Sequence, residues 1–171
     1  MDVKRPNQVP RPAAGHPSHL RMIEPAAATF PAILASAAAR GERVFLPRRR
    51  AQTAEPVTFA RFLADVDALA GALLELGVQR GDRVGLLAEN RCEWLLVDQA
   101  LASIGAIDVP RGSDTSPPEM RFILNHSGCR VAFVEDDRLA HELIRAKNEL
   151  PRLERIFVMQ DRTAVPGAVS L

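Results

Sequence analysis

Val84, Leu86 and Leu87 form a short apolar run with no charge inside it. A half-exposed strand alternates apolar with polar side chains, so this run predicts a strand covered on both faces. The turn Gly81-Asp82-Arg83 feeds it, and the polar loop Glu89-Asn90-Arg91 leads from it into residues 94–104. That stretch has no glycine or proline, and only Asp98, Gln99 and Ser103 interrupt its apolar residues, so the helix it predicts has almost no face left for water. A strand buried on both sides, followed by such a helix, is the opening of a crossover connection.

The pattern then repeats at intervals of about 25 residues. A second strand is predicted over 106–109. After the loop 110–115, Ser116-Pro117-Pro118-Glu119 has the pattern of a capping box. The helix it opens turns Met120, Ile123 and Leu124 inward and stops near Ser127-Gly128. A third strand follows over 130–134, a helix over 137–149 burying Leu139, Leu143 and Ile144, and a fourth strand over 155–159. Strands alternating with helices of this length take right-handed crossovers and pair in parallel. The expected fold is therefore α/β, a flavodoxin-like parallel-sheet subdomain of alternating strands and helices. After Asp161 the pattern is lost, and residues 162–171 are expected to begin a linker or a truncated continuation.

Upstream, residues 1–24 are proline-rich, carry Lys4, Arg5, Arg11 and Arg21, and show neither period, which predicts a disordered tail. His16 and His19 read as solvated tail residues, and Met22 is an alternative start. A first helix is predicted from Thr29, with Phe30, Ile33, Leu34 and Ala37 at helical spacing and Gly41 at its end. Val44-Phe45-Leu46 reads as a short strand, with Pro56-Val57 returning beside it across a loop that holds Arg48, Arg49 and Arg50. Those arginines suit a phosphate, although a charged hairpin tip is ordinarily just solvated. Thr58 then caps the clearest amphipathic helix, which buries Phe59, Phe62, Leu63, Val66, Leu69, Ala70, Leu73 and Leu76. Arg61 and Asp65 form an outward pair on it, and Gly77 stands at its end.

Composition narrows the function classes. The 47% hydrophobic and 25% charged fractions suit a globular chain with a core, and a net charge of +1 argues against an electrostatic nucleic-acid binder. Cys92 and Cys129 have neither CxxC nor Cys/His spacing, so both read as packed, reduced thiols. No apolar run reaches the roughly 20 residues that span a bilayer. A cytoplasmic location is the expectation.

Open parallel sheets bind ligands at the carboxyl ends of their strands. Glu89-Asn90-Arg91 follows the first strand of the series, Arg111-Gly112-Ser113-Asp114 the second and Glu135-Asp136-Asp137 the third. The acidic trio has the chemistry for Mg²⁺, but carboxylates before a helix are favoured by its dipole in any case. Neither G-x-G-x-x-G nor G-x-x-x-x-G-K-[ST] occurs. Ser113 and Ser127 lack the G-x-S-x-G setting of a nucleophile, and His126 reads as a partner of a helix end. Read this way, the chain shows no catalytic residue and no metal site, and its cofactor-binding residues are unknown.

An ordered series of short blocks then resembles a known family. Thr58-Phe59, Leu76-Gly77-Val78, Gly81-Asp82-Arg83-Val84, Glu89-Asn90-Arg91-Cys92-Glu93-Trp94, Ile104-Gly105-Ala106, Val109-Pro110 and the run from Ser127-Gly128-Cys129 through Val131-Ala132-Phe133-Val134 follow one another. They resemble the N-terminal region of AMP-forming acyl-CoA synthetases, most of all long-chain fatty-acid:CoA ligases, over residues 24–161. Arg61, Cys92, Cys129 and the 111–114 loop depart from the usual residues and point to a subgroup.

The resemblance implies a ligase acting in two halves. ATP and a fatty acid give an acyl-adenylate and pyrophosphate, and the CoA thiol then displaces AMP, with Mg²⁺ required. The family's phosphate loop, its Tyr-x-x-Thr-Glu segment, its ribose-binding Asp and its lid lysine have no counterpart among these residues. The expectation is an N-terminal subdomain, residues 25–161, of a longer enzyme, silent by itself. A self-contained flavodoxin-like or receiver-like module, or a non-catalytic partner of a separate ligase, is the alternative. If later subdomains normally cover the 94–104 helix, Leu96 or Leu101 is expected on an open apolar face that binds hydrophobic dye and self-associates.

Overall fold

A computed structural model describes residues 29–50, 53–160 and 162–171, the side chains of 38, 49 and 50 excepted. The expected tail, with His16, His19 and Met22, lies outside the described residues. Helix α1 (Phe30–Ser36) begins where predicted, with the Thr29 hydroxyl accepting from the Ala32 N–H. Strands β1 (Val44–Arg50) and β2 (Thr53–Thr58) then form a two-stranded antiparallel sheet.

This hairpin is longer than the sequence predicted, and Arg48, Arg49 and Arg50 belong to its ladder rather than to a loop, opposite Glu55, Ala54 and Thr53. The cause is tertiary. Arg48 lies beside carboxylates of two helices, which extends the strand past its apolar residues. Pro47 and Pro56 face each other in the ladder, where neither has an N–H to withhold.

Helix α2 (Phe59–Glu75) is capped by the Thr58 hydroxyl, which accepts from the Arg61 N–H. It ends before Gly77, whose positive φ of 83° no larger residue adopts without strain. The crossover series follows as β3 (Arg83–Leu87), α3 (Cys92–Ile104), β4 (Ile107–Arg111), α4 (Pro117–Ser127), β5 (Val131–Val134), α5 (Asp137–Arg145), β6 (Arg155–Val158) and β7 (Ala168–Ser170). The five strands pair in parallel in the order β4-β3-β5-β6-β7. Strand β7 was not foreseen: it has three residues, Val169 at its centre is exposed, and no helix precedes it.

Alternation along β3 sorts its side chains into two layers. Val84, Leu86 and Ala88 face α2 and α3, joining Ala70, Leu73, Val97, Ala100 and Leu101. Leu87 faces the other way, into the layer of α4 and α5 with Met120, Leu124, Leu139 and Leu143. Gly85 is on that second face too, and a Cβ there would stand 2.6 Å from a Leu124 methyl and 3.3 Å from the Ala132 Cβ. A glycine inside a strand ordinarily weakens it; here it lets α4 lie close to the sheet.

Two local expectations fail for identifiable reasons. Ser116 is extended at the N-cap of α4, but its hydroxyl makes no capping bond. Pro118 at the second helical position removes one of the two N–H groups such a hydroxyl can cap, and the two prolines themselves fix the entry of the chain. Helix α3 has no open apolar side. It lies between the sheet and α2, with α1 and β1 against it as well, and Leu96 and Leu101 are only 7% and 0% exposed. The chain's own N-terminal elements supply the cover expected from later subdomains.

Candidate functional site

The loops at the carboxyl end of the sheet are held together by their own side chains. Glu89, just past β3, has its N–H donating to Glu135 Oε2 at 2.8 Å. Its own carboxylate accepts from the Ser113 N–H at 2.9 Å and the Ser113 hydroxyl at 3.0 Å, across the β4–α4 loop. Arg138 of α5 closes the circuit by donating to the Ser113 carbonyl at 2.9 Å. Gly112 makes this approach possible, since a Cβ there would stand 3.2 Å from Glu89 Oε1 and 2.7 Å from Asp114 Oδ1.

A chain of ion pairs extends this lattice to the hairpin and the first turns of α2. Arg91 Nε meets Glu93 Oε2 at 2.8 Å, and Arg91 Nη1 lies 4.0 Å from Glu135. Arg48 Nη2 meets Asp65 at 3.1 Å, and its Nε is 3.5 Å from Glu93. Arg61 meets the other Asp65 oxygen at 2.7 Å. The Arg61–Asp65 pair is thus not simply an outward one: Arg61 is exposed, but Asp65 is largely buried and shared with Arg48.

Arg48 is mostly shielded from water, and its Nε lacks a close acceptor. Opposite charges on two helices, Asp65 of α2 and Glu93 of α3, compensate for that burial, because an unpaired charge there would cost several kcal/mol, of order 3 to 5. Cys92, 3% exposed, lies against the same guanidinium. Burial raises its thiol pKa and outweighs the opposing pull of Arg48. Burial pushes Cys129 up to about 11. Both thiols are therefore neutral, packed groups, and neither is poised as a nucleophile.

The acidic trio is occupied by hydrogen-bond donors. Glu135 takes the Glu89 N–H, Asp136 caps α5 by accepting from the Leu139 N–H at 2.9 Å, and Asp137 accepts from the Thr163 hydroxyl at 2.5 Å. Among the described residues no group of three His, Cys, Asp or Glu is arranged to hold a metal ion. Each of the three carboxylates is thus engaged in holding a loop or capping a helix.

Two of the concavities at this end border the Glu89–Arg91 loop. One of about 530 Å³ is lined by Leu46, Pro47, Glu89, Asn90, Arg91 and Glu135 among others. The other, of about 360 Å³, lies between Asn90, Trp94, Pro110 and Arg111. Asn90 borders both, and among the described residues Arg111 donates only to the carbonyl of its neighbour Pro110. This arrangement can hydrogen-bond and orient a ligand. It pairs no nucleophile with a base: Ser113 serves Glu89, the Ser127 carbonyl accepts from Arg83, and His126 stacks on exposed Phe122 at 5.6 Å. Sequence reasoning found Glu89, Asn90, Arg91 and Arg111 from their place after strands. It missed Arg138 and the sharing of Asp65, which only the packing of α5 and of the hairpin reveals.

Comparison with known proteins is consistent with this frame. The profile of the AMP-binding enzymes matches residues 34–169. The long-chain-fatty-acid–CoA ligase FadD15 of Mycobacterium tuberculosis is 34% identical over 101 residues, which are 59% of this chain and 17% of that protein. The peroxisomal long chain acyl-CoA synthetase 7 of Arabidopsis thaliana is 32% identical over 103 residues, 60% of this chain and 15% of that one. The chain thus spans about a sixth of the length of the curated relatives it matches. The crystal structure of the anthranilate CoA ligase AuaEII, solved with anthranoyl-AMP, superposes with a TM-score of 0.75 at 26% identity, over 83% of this chain and 26% of that one.

Proposed function

This chain belongs to the family of AMP-binding enzymes, and from that premise we propose that it is the N-terminal subdomain of an AMP-forming ligase that joins a fatty acid to CoA. In the whole enzyme, ATP would activate the carboxylate as an acyl-adenylate with release of pyrophosphate, and the CoA thiol would then displace AMP. The acyl group is long-chain by likeness to FadD15 and to the plant synthetase. A cytoplasmic location accords with this reading, and no helix among the described residues is long and apolar enough to cross a membrane.

The observation that carries the proposal is the commitment of the carboxyl-end groups to one another. Adenylyl transfer is accelerated by charge preorganised around the transferring group. Here the charges of Glu89, Glu135, Arg91, Arg48 and Asp65 are spent on holding loops and hairpin together. The subdomain's role is therefore that of a rigid wall which orients neighbouring segments, with Asn90 and Arg111 presented on it. Mg²⁺, which would neutralise phosphate charge in the whole enzyme, is held elsewhere than on this wall.

The test is carboxylate-dependent exchange between ATP and pyrophosphate by the purified 171-residue chain. Palmitate and shorter acids should give no exchange above a heat-killed control. Clear exchange would overturn the assignment of a non-catalytic subdomain and return the acidic trio to consideration.

A further inference from the structure

The amino-terminal end of the sheet holds another concavity, of about 430 Å³, with a different character. Its floor is apolar, formed by Leu76, Val78, Val84 and Val131. Its walls carry Arg83, Arg130, Arg152 and Arg155 against only two acids, Asp82 and Glu154.

The acids do not neutralise these arginines evenly. Glu154 is taken by Arg130 in a two-pronged pair, both contacts at 2.9 Å. Asp82 accepts from the Gln79 N–H at 2.9 Å, turned toward its own loop. Arg83 donates only to carbonyls, those of Ser127 at 2.7 Å and Gly81 at 3.4 Å. Among the described residues, Arg83, Arg152 and Arg155 make no ion pair with a carboxylate.

Two of them also converge. Arg152 Nη1 and Arg83 Nη2 lie 3.0 and 3.2 Å from the point where a side chain on Gly128 would begin. They approach that empty position together, over a residue whose φ of 67° suits glycine. Two guanidinium groups so close repel each other unless an anion lies between them, and an oxyanion is the group their planar forks match. The carbonyl end of α4 draws Arg83 in by itself, but it does not account for Arg152, which makes no hydrogen bond or ion pair among the described residues.

We propose that this concavity is a ligand site for a phosphate group, held between Arg83 and Arg152 over Gly128, with Arg155 completing its charge. The space exceeds a bare phosphate, and the apolar floor suits a small organic phosphomonoester. The site lies at the opposite end of the strands from the Asn90 and Arg111 wall, and does not depend on the proposed ligase function.

The experiment follows chemical denaturation of the chain in rising inorganic phosphate, and separately ribose 5-phosphate, at constant ionic strength. A ligand that binds the folded state alone stabilises it in a saturable way. Arg152→Gln should weaken the dissociation constant about tenfold, the loss expected for a charge-assisted contact, and Arg155→Gln should weaken it less. Arg61→Gln, at the other end, should leave it unchanged. Since Arg152 has no hydrogen-bond or ion-pair partner among the described residues, its variant should fold with undiminished stability in phosphate-free buffer. Tighter binding of ribose 5-phosphate would place an organic phosphomonoester on the apolar floor, and equal binding would make inorganic phosphate sufficient. A response to neither, or one that does not saturate, or one lost equally in Arg61→Gln, would overturn the site.

Discussion

Replacing Leu86 by alanine tests the two-layer architecture most directly. Leu86 is 0% exposed and sits among Leu73, Val97, Leu101 and Phe133. At about 0.8 kcal/mol per buried methylene, the transfer loss is roughly 2.4 kcal/mol. Strands pair with β3 on both sides, β4 opposite Pro110 and β5 opposite Phe133, so the backbone is poorly placed to collapse into the cavity. That puts the cost in the upper part of the range for buried leucines, about 3 to 4 kcal/mol. In urea, with a slope of about 2 kcal/mol per molar, the midpoint should fall by roughly 1.5 to 2 M at unchanged slope. Arg61→Ala provides the comparison. Its guanidinium is 67% exposed, Asp65 keeps Arg48 as a partner, and the cost should stay below about 1 kcal/mol. Equal midpoint shifts for the two variants would show that the register of β3 is wrong.

Gly85→Ala should destabilise by about 1 to 3 kcal/mol, because its methyl would stand 2.6 Å from Leu124; Gly85→Ala/Leu124→Ala should recover part of that loss, and two additive losses in denaturation would argue against the contact. The Cys129 thiol, whose ordinary value of 9.0 is raised to about 11 by burial, stays protonated in the folded chain where the unfolded chain ionises. Its contribution to stability is complete below about pH 9 and is lost as pH rises toward 11. Cys129→Ala should flatten that part of a pH–stability curve, and an unchanged curve would refute the assignment.

The parallel series was legible because its signals are local. Val84, Leu86 and Leu87 announced a strand buried on both faces, and Thr58 and Gly77 marked the ends of α2 through their own backbone requirements. What escaped depends on partners far apart in sequence. The strand status of Arg48 is set by Asp65 and Glu93, 17 and 45 residues away, and β7 is ordered by the edge of β6 rather than by any period of its own. The open face expected on α3 failed for the same reason, since its apolar composition was read correctly while its cover came from upstream elements. At the candidate site, loop position singled out Glu89 and Glu135, but that the Glu135 carboxylate accepts the Glu89 N–H follows only from the parallel register that sets β3 beside β5.

The strand order also has a temporal meaning. Of the five parallel strands β3 is synthesised first, β4 lies on one of its flanks and β5 on the other, and β6 and β7 extend the β5 side in the order of their synthesis. Each new strand thus meets a flank already made, and none must be inserted between two that have closed. Pro110 withholds a donor from β4, whereas β7 has no proline and offers its backbone freely.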